Sequence, residues 1–197
     1  MSPRRDATRE RIEELLRAIG ARFRHPARLY LAGGDGLVWR GLRGFTRDVD
    51  IAYEVDPKHH DAWIRTIREL KDALDVNIEE ANPGDFVPLP PGSAERAESV
   101  GRFGKVEVFL LDPYAVALSK LARGHDQDME DVRSLLRERL IAADALRRHF
   151  DAIFPAYERR GLRADPARFR AMLDLVAPPP ATSSAARPAR PRRPRRG

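Results

Sequence analysis

A chain of 197 residues, 34% charged and 42% hydrophobic, has the composition of a globular protein with one sizeable core. It holds no cysteine, and His25, His59, His60, His125 and His149 are scattered, which argues against a zinc site of the usual ligand types. No segment is apolar enough to span a membrane and the charged N-terminus lacks an apolar signal core, so a cytoplasmic protein is expected.

In chain order, Ile12, Leu15, Leu16 and Ile19 recur at helical spacing and predict a helix over 7–23, followed by the strand RLYLAGG. Leu37, Val38 and Leu42 suggest a short helix after the glycines, leading through Gly44 to a strand over 47–55. Trp63, Ile67, Leu70 and Leu74 predict a helix over 58–74 opened by Pro57, with a third strand, DVNIEE, at 75–80. The stretch NPGDFVPLPPGSAERAESVGRFG reads as a long turn-rich loop, the kind that carries function or flanks a site. A fourth strand, KVEVFLL, precedes helices expected at 113–123, 126–138, 141–157 and 165–176.

The order implies an α+β fold in which a small mixed sheet backed by helices is followed by a helical part. The expected division is a core over 1–112, a helical part over 113–176 packed on it, and a tail over 177–197. That tail carries six arginines and no acid, so it accounts for the whole net charge of +6 and leaves residues 1–176 formally neutral. Its Pro-rich composition cannot build a core, so it is expected to be disordered, either a solubilising tail or an arm that tethers RNA.

The most informative stretch is GGDGLVWRGLRGFTRDVD, residues 33–50. Gly33 and Gly34 have no side chains to keep a triphosphate from their amides, while alternation in VDIAYEV sets Asp48 and Asp50 on one strand face and Val49, Ile51 and Tyr53 on the other. Two carboxylates on one face can share divalent cations. Three other acidic pairs at that spacing, Glu54/Asp56, Asp126/Asp128 and Asp128/Glu130, have no such glycines upstream and read as solvated faces.

With the Thr46-Arg47-Asp48-Val49-Asp50 run and the later Lys120 to Asp131 segment, residues 28–138 resemble the minimal nucleotidyltransferases of the DNA polymerase β superfamily. Within it, the chain is similar to the bacterial group related to AbiEii-type toxins. The resemblance implies magnesium-dependent transfer of a nucleoside monophosphate from a nucleoside triphosphate to a hydroxyl, with two Mg2+ ions engaged during turnover. It also implies an acceptor that is an RNA end, with tRNA favoured, or a protein hydroxyl, and a cognate antitoxin or toxin partner.

Carried onto this chain, the resemblance makes Asp48 and Asp50 metal ligands and points to Glu79 as the third carboxylate. Glu107 is the alternative on the next strand, and Asp85 a weaker one. Lys120 matches a lysine that reaches the triphosphate, and Asp128 or Asp131 the acid that orients it or Arg123; a surface ion pair is the ordinary alternative. Arg43 and Arg47 are further phosphate candidates. Asp35 departs from the pattern, because a carboxylate beside a triphosphate repels it unless it points away or helps to hold a metal. That departure keeps open a catalytically degenerate relative, an RNA- or protein-binding module of regulatory, antitoxin-like character.

Overall fold

The computed structural model describes residues 4–160 and 165–179. Helix α1 (Arg9–Arg22) buries Ile12, Leu15, Leu16 and Ile19, the stripe its 3.6-residue period sets on one face. It leads to strand β1 (Ala27–Leu31), helix α2 (Gly34–Trp39) and strand β2 (Asp48–Val55). A 3-10 turn at Pro57–His59, held by the Asp56 side chain, opens helix α3 (His60–Ala73), which precedes strand β3 (Asn77–Glu80). The expected loop over 82–104 is a correction: it contains the single-turn helix α4 (Pro83–Phe86) and a whole strand, β4 (Glu98–Phe103), ahead of β5 (Val106–Leu110). A register shift between Ser99 and Gly101 breaks the two-residue alternation of β4 and hides it in the sequence.

The five strands lie in the order β3-β2-β1-β5-β4, with β1 antiparallel to β2 and parallel to β5. Strand β3 runs parallel to β2, and β4 antiparallel to β5. On one face Leu29, Leu31, Val49, Ile51, Val106 and Val108 pack with the buried sides of α1 and α3. The opposite face carries Arg28, Asp48, Asp50, Glu79 and Glu107, since residues paired across strands share a face. At the edge of the core, His25 and His59 come together with stacked rings 3.5 Å apart.

Helices α5 (Pro113–Arg123), α6 (Asp126–Arg137), α7 (Ala143–Glu158) and α8 (Pro166–Val176) enclose a second apolar cluster around Leu118, Val132, Phe150 and Phe169. Asp112 starts α5 by accepting the Tyr114 amide while pairing, fully buried, with Arg96; Gly124 ends it in the left-handed conformation at φ 64°. Ala177, the first residue of the expected tail, is instead buried, with its amide donating to Leu173 and its carbonyl accepting from Arg147. The expectation for 180–197 lies outside the described residues.

Two contacts fix the N-terminal part. Gly20 and Gly104 allow α1 and the β4–β5 turn to touch backbone to backbone, since a methyl group on either would overlap main-chain atoms of the other element. Ahead of α1, Ala7 and Thr46 exchange backbone hydrogen bonds of 2.7 and 3.0 Å, laying the first residues beside the loop that enters β2.

Candidate active site

Strand β2 aims Asp48 and Asp50 away from the core because Val49 and Ile51 alternate with them and are buried. The parallel register sets Asp48 opposite Asn77 and Asp50 opposite Glu79. Asn77 ties the group together, its amide nitrogen donating to Asp48 Oδ1 and, at 2.9 Å, to Glu79 Oε1. The Asp50 carboxylate lies where a Gly33 Cβ would be, so a glycine at 33 is what admits it. Burial and the neighbouring Asp48 push the Asp50 carboxyl up to about 6; Glu79 pushes the same way, while Arg123 and Lys120 pull it down.

Those two cations belong to α5, across a narrow cleft that Asp50 and Gly33 line with Ser119, Lys120, Arg123 and Phe86. Lys120 is only 3% exposed. Its Nζ donates to Asp128 Oδ1 at 3.1 Å and to Asp131 Oδ2 at 2.7 Å, so its ion pair is buried rather than on the surface. Arg123 forks onto both oxygens of Asp128, at 3.1 and 2.6 Å, while Arg43 reaches Asp131 at 3.5 Å and Gln127 donates to it at 3.1 Å. The Asp128 and Asp131 carboxylates therefore anchor three cations along the cleft wall.

The glycine loop is more occupied than its sequence suggests. Asp35 is fully buried and turned back, with Oδ1 accepting the amides of Gly33 at 2.8 Å and Gly36 at 3.0 Å. It does not face the cleft. Burial first, and Asp50 second, hold its carboxyl well above the usual range, and its other oxygen is buried without a partner. Gly34 makes room for Thr46 and Arg43, which a Cβ would meet at 2.8 and 3.0 Å.

A family model described as "Nucleotidyltransferase of unknown function (DUF6036)" matches residues 11–161. The chain belongs to this family. No curated protein and no solved structure matches it. The span shared with the nucleotidyltransferase family takes in the carboxylate face and the Lys120 cluster, and stops short of Arg4, Arg5 and α8.

Among the described residues of this nucleotidyltransferase family member, no three His, Cys, Asp or Glu side chains form a preformed metal cage. Asp48 and Asp50 nevertheless fit magnesium, which is held by one or two carboxylates together with substrate phosphates, and Asp50 lies beside Asp48 and Glu79 with no salt bridge of its own among the described residues. Glu79 stands in register beside Asp50 but is exposed and turned to Asn77. Glu107 shares the face yet pairs with Glu54's row at the far end, four residues along β2, where it bonds Arg102 at 2.8 Å and meets Arg28 at 3.7 Å.

Two pockets of about 810 Å3 each lie nearby, one sharing Phe86 and Arg123 with the cleft and the other reaching Asp48. One is lined by Asp85, Phe86, Arg123, Tyr157 and Arg160, the other by Arg4, Arg5, Phe45, Arg47, Asp48 and Asn77. Sequence reasoning missed Asn77, Phe86 and Phe45. Asn77 was within reach of it, since it stands two residues before Glu79 on the same strand face. No described helix is long and apolar enough to cross a membrane.

Proposed function

We propose that this chain is a magnesium-dependent nucleotidyltransferase that moves a nucleoside monophosphate from a nucleoside triphosphate to a hydroxyl at an RNA end. The observation that carries the reading is the opposition across one cleft of the Asp48–Asp50 face and the Lys120–Arg123 wall. Acids without cations on one side and cations held by acids on the other are complementary to a metal-bound triphosphate.

Magnesium, when bound to Asp48 and Asp50, supplies neutralisation of the phosphate charge and activation of the attacking oxygen. Lys120 and Arg123, held by Asp128 and Asp131, offer charge to the phosphates without having to be ordered when the nucleotide arrives. Phe86, exposed beside Arg123, gives the nucleoside an aromatic wall. The acceptor hydroxyl gives its proton to solvent and its oxygen bonds to the α-phosphorus, while the bond from that phosphorus to the bridging oxygen breaks and pyrophosphate leaves with the electron pair.

The resemblance to AbiEii-type toxins supports tRNA as the RNA and a neighbouring antitoxin as a partner; growth arrest on induction, relieved by the adjacent gene product, tests that part. The transfer itself is tested by incubating the full chain with each α-labelled nucleoside triphosphate, magnesium and an RNA pool. Wild type should label RNA with at least one nucleotide, and Asp48→Asn and Asp50→Asn should not. A second reading, a binding module without chemistry, is favoured by one observation: the Gly33 amide is taken by Asp35 instead of facing the cleft. Nucleotide binding without transfer under every condition would select it.

A further inference from the structure

The pocket beside Asp48, on the side away from Lys120, is built by parts of the chain that the sequence separates. The Ala7–Thr46 bridge brings Arg4 and Arg5 next to the loop carrying Phe45 and Arg47, and Arg5 donates its amide to the Asp75 carbonyl at 3.2 Å. Arg4 is held in place by Asp72 at 2.6 Å and by the Lys71 carbonyl. Arg5 is different: its one ion pair, with Asp75, is long at 3.5 Å and exposed on both sides, and such pairs hold little. Arg47 is exposed and has no ion pair among the described residues. The exposed Arg47 and the loosely paired Arg5 can thus turn to phosphates, against Asp6, which has no ion pair among the described residues, and the active-site Asp48 in the pocket wall.

The second observation is the aromatic ring. Large apolar side chains exposed on the described surface are few, and two of them border the carboxylates: Phe45 (48%) lines a pocket with Asp48, and Phe86 (43%) lines the cleft with Asp50. The Phe86 ring is already covered by the Arg123 guanidinium at 5.3 Å, whereas Phe45 has no ring or cation against it among the described contacts. A bare ring between these guanidiniums, beside a metal-binding carboxylate, is the arrangement that stacks a base and tracks a backbone in single-stranded nucleic acid.

We propose that Arg5, Phe45 and Arg47 form the acceptor seat, and that its ligand is the unpaired 3′ end of an RNA: the terminal base stacks on Phe45, the preceding phosphates meet Arg5 and Arg47, and the terminal hydroxyl lies towards Asp48. The inference rests on the transferase reading for what happens to that hydroxyl, and on the pocket alone for the binding. A duplex end has its bases stacked on one another and offers no face to Phe45, so a blunt RNA is a poor ligand.

The test measures binding of the full chain to a labelled hairpin RNA with a four-nucleotide 3′ overhang, to the same hairpin blunt-ended, and to the overhang RNA in the presence of polyglutamate. Phe45→Ala should weaken overhang binding about 10-fold and Phe45→Tyr should restore it, since base stacking needs a ring. Arg5→Ala should lower the slope of log affinity against log salt by about 0.7, one phosphate contact on a single strand. In a transfer assay both alanine variants should raise KM for the RNA and leave KM for the nucleoside triphosphate. Equal binding of blunt and overhang RNA, wild-type affinity in Phe45→Ala, or displacement of RNA by polyglutamate at equal charge would overturn the proposal, the last in favour of an acidic protein acceptor. RNA binding that depends on Phe45 with no transfer anywhere leaves the seat standing and sinks the transferase reading; transfer with an unchanged RNA KM in Phe45→Ala does the reverse.

Discussion

The seam between α5 and α6 and the face of β2 and β3 both bring charges together, but they do so in opposite ways. In the seam, Lys120 is enclosed by Asp128 and Asp131, and every carboxylate oxygen there accepts a hydrogen bond. On the strand face, Asp48, Asp50 and Glu79 stand together with only the neutral Asn77 bonded between them, and burial first, then the neighbouring Asp48, makes the Asp50 carboxyl resist ionising. Buried charge that is compensated holds a structure in one arrangement, whereas like charges set side by side without a paired opposite charge cost stability.

The contrast breaks most directly at Lys120. Removing it leaves two buried aspartates facing each other, so Lys120→Ala should lose about 3–5 kcal/mol of stability in urea denaturation, and function and fold cannot be separated at this position. A loss under about 1 kcal/mol would mean that water compensates the pair and that the seam is not as dry as its burial indicates.

Asp50→Asn should have the opposite sign. A carboxyl whose folded value is raised from 3.8 to about 6 gives its full contribution to stability below 3.8, and that contribution is lost as pH rises to about 6. Above that pH the asparagine variant should therefore be about 1–3 kcal/mol more stable than wild type, converging with it near pH 4. Magnesium should raise the Tm of wild type at pH 8 and leave the variant unmoved. Thermal melts from pH 4 to 8 read both effects, and a variant less stable than wild type at pH 8 would deny that the face is strained by its own charge.

Smaller effects sharpen the boundary of the strained region. Asp35→Ala strips the Gly33 and Gly36 amides of their acceptor and should cost about 1–2 kcal/mol, whereas Asp35→Asn keeps an acceptor oxygen and should cost little. Equal losses in the two variants would assign Asp35 a role beyond those amides. Last, Glu107→Gln should alter neither Tm nor transfer, because its partners Arg28 and Arg102 are exposed and distant from Asp50; loss of transfer there would reinstate it as a ligand.

Most elements were legible because their apolar period is regular: α1, α3 and α5–α8 lie within a few residues of where Leu, Ile and Phe spacing puts them. The orientation of Asp48 and Asp50 was legible for the same reason, since alternation settles a face without knowledge of what covers it. What stayed hidden depends on contacts between distant residues. Strand β4 has an interrupted alternation and is ordered by pairing with β5. The inward turn of Asp35 brings it near Asp50 on the next strand, and the burial of Lys120 follows from a helix that begins six residues later. The pocket at Phe45 exists only because Ala7 finds Thr46, a pairing that no local pattern encodes.

The glycine contact between α1 and the β4–β5 turn turns the first helix into a lever. Gly20 is the fulcrum near one end, with no side chain on either element to act as a cushion, and Ala7 lies just beyond the other end, roughly 20 Å away at 1.5 Å per residue. A displacement of the fulcrum by a single methyl group is transmitted along a stiff rod to the bridge with Thr46, and with it to Arg5 and the rim of the cleft. The position of Arg5 beside Asp48 thus depends on a backbone contact on the far side of the sheet.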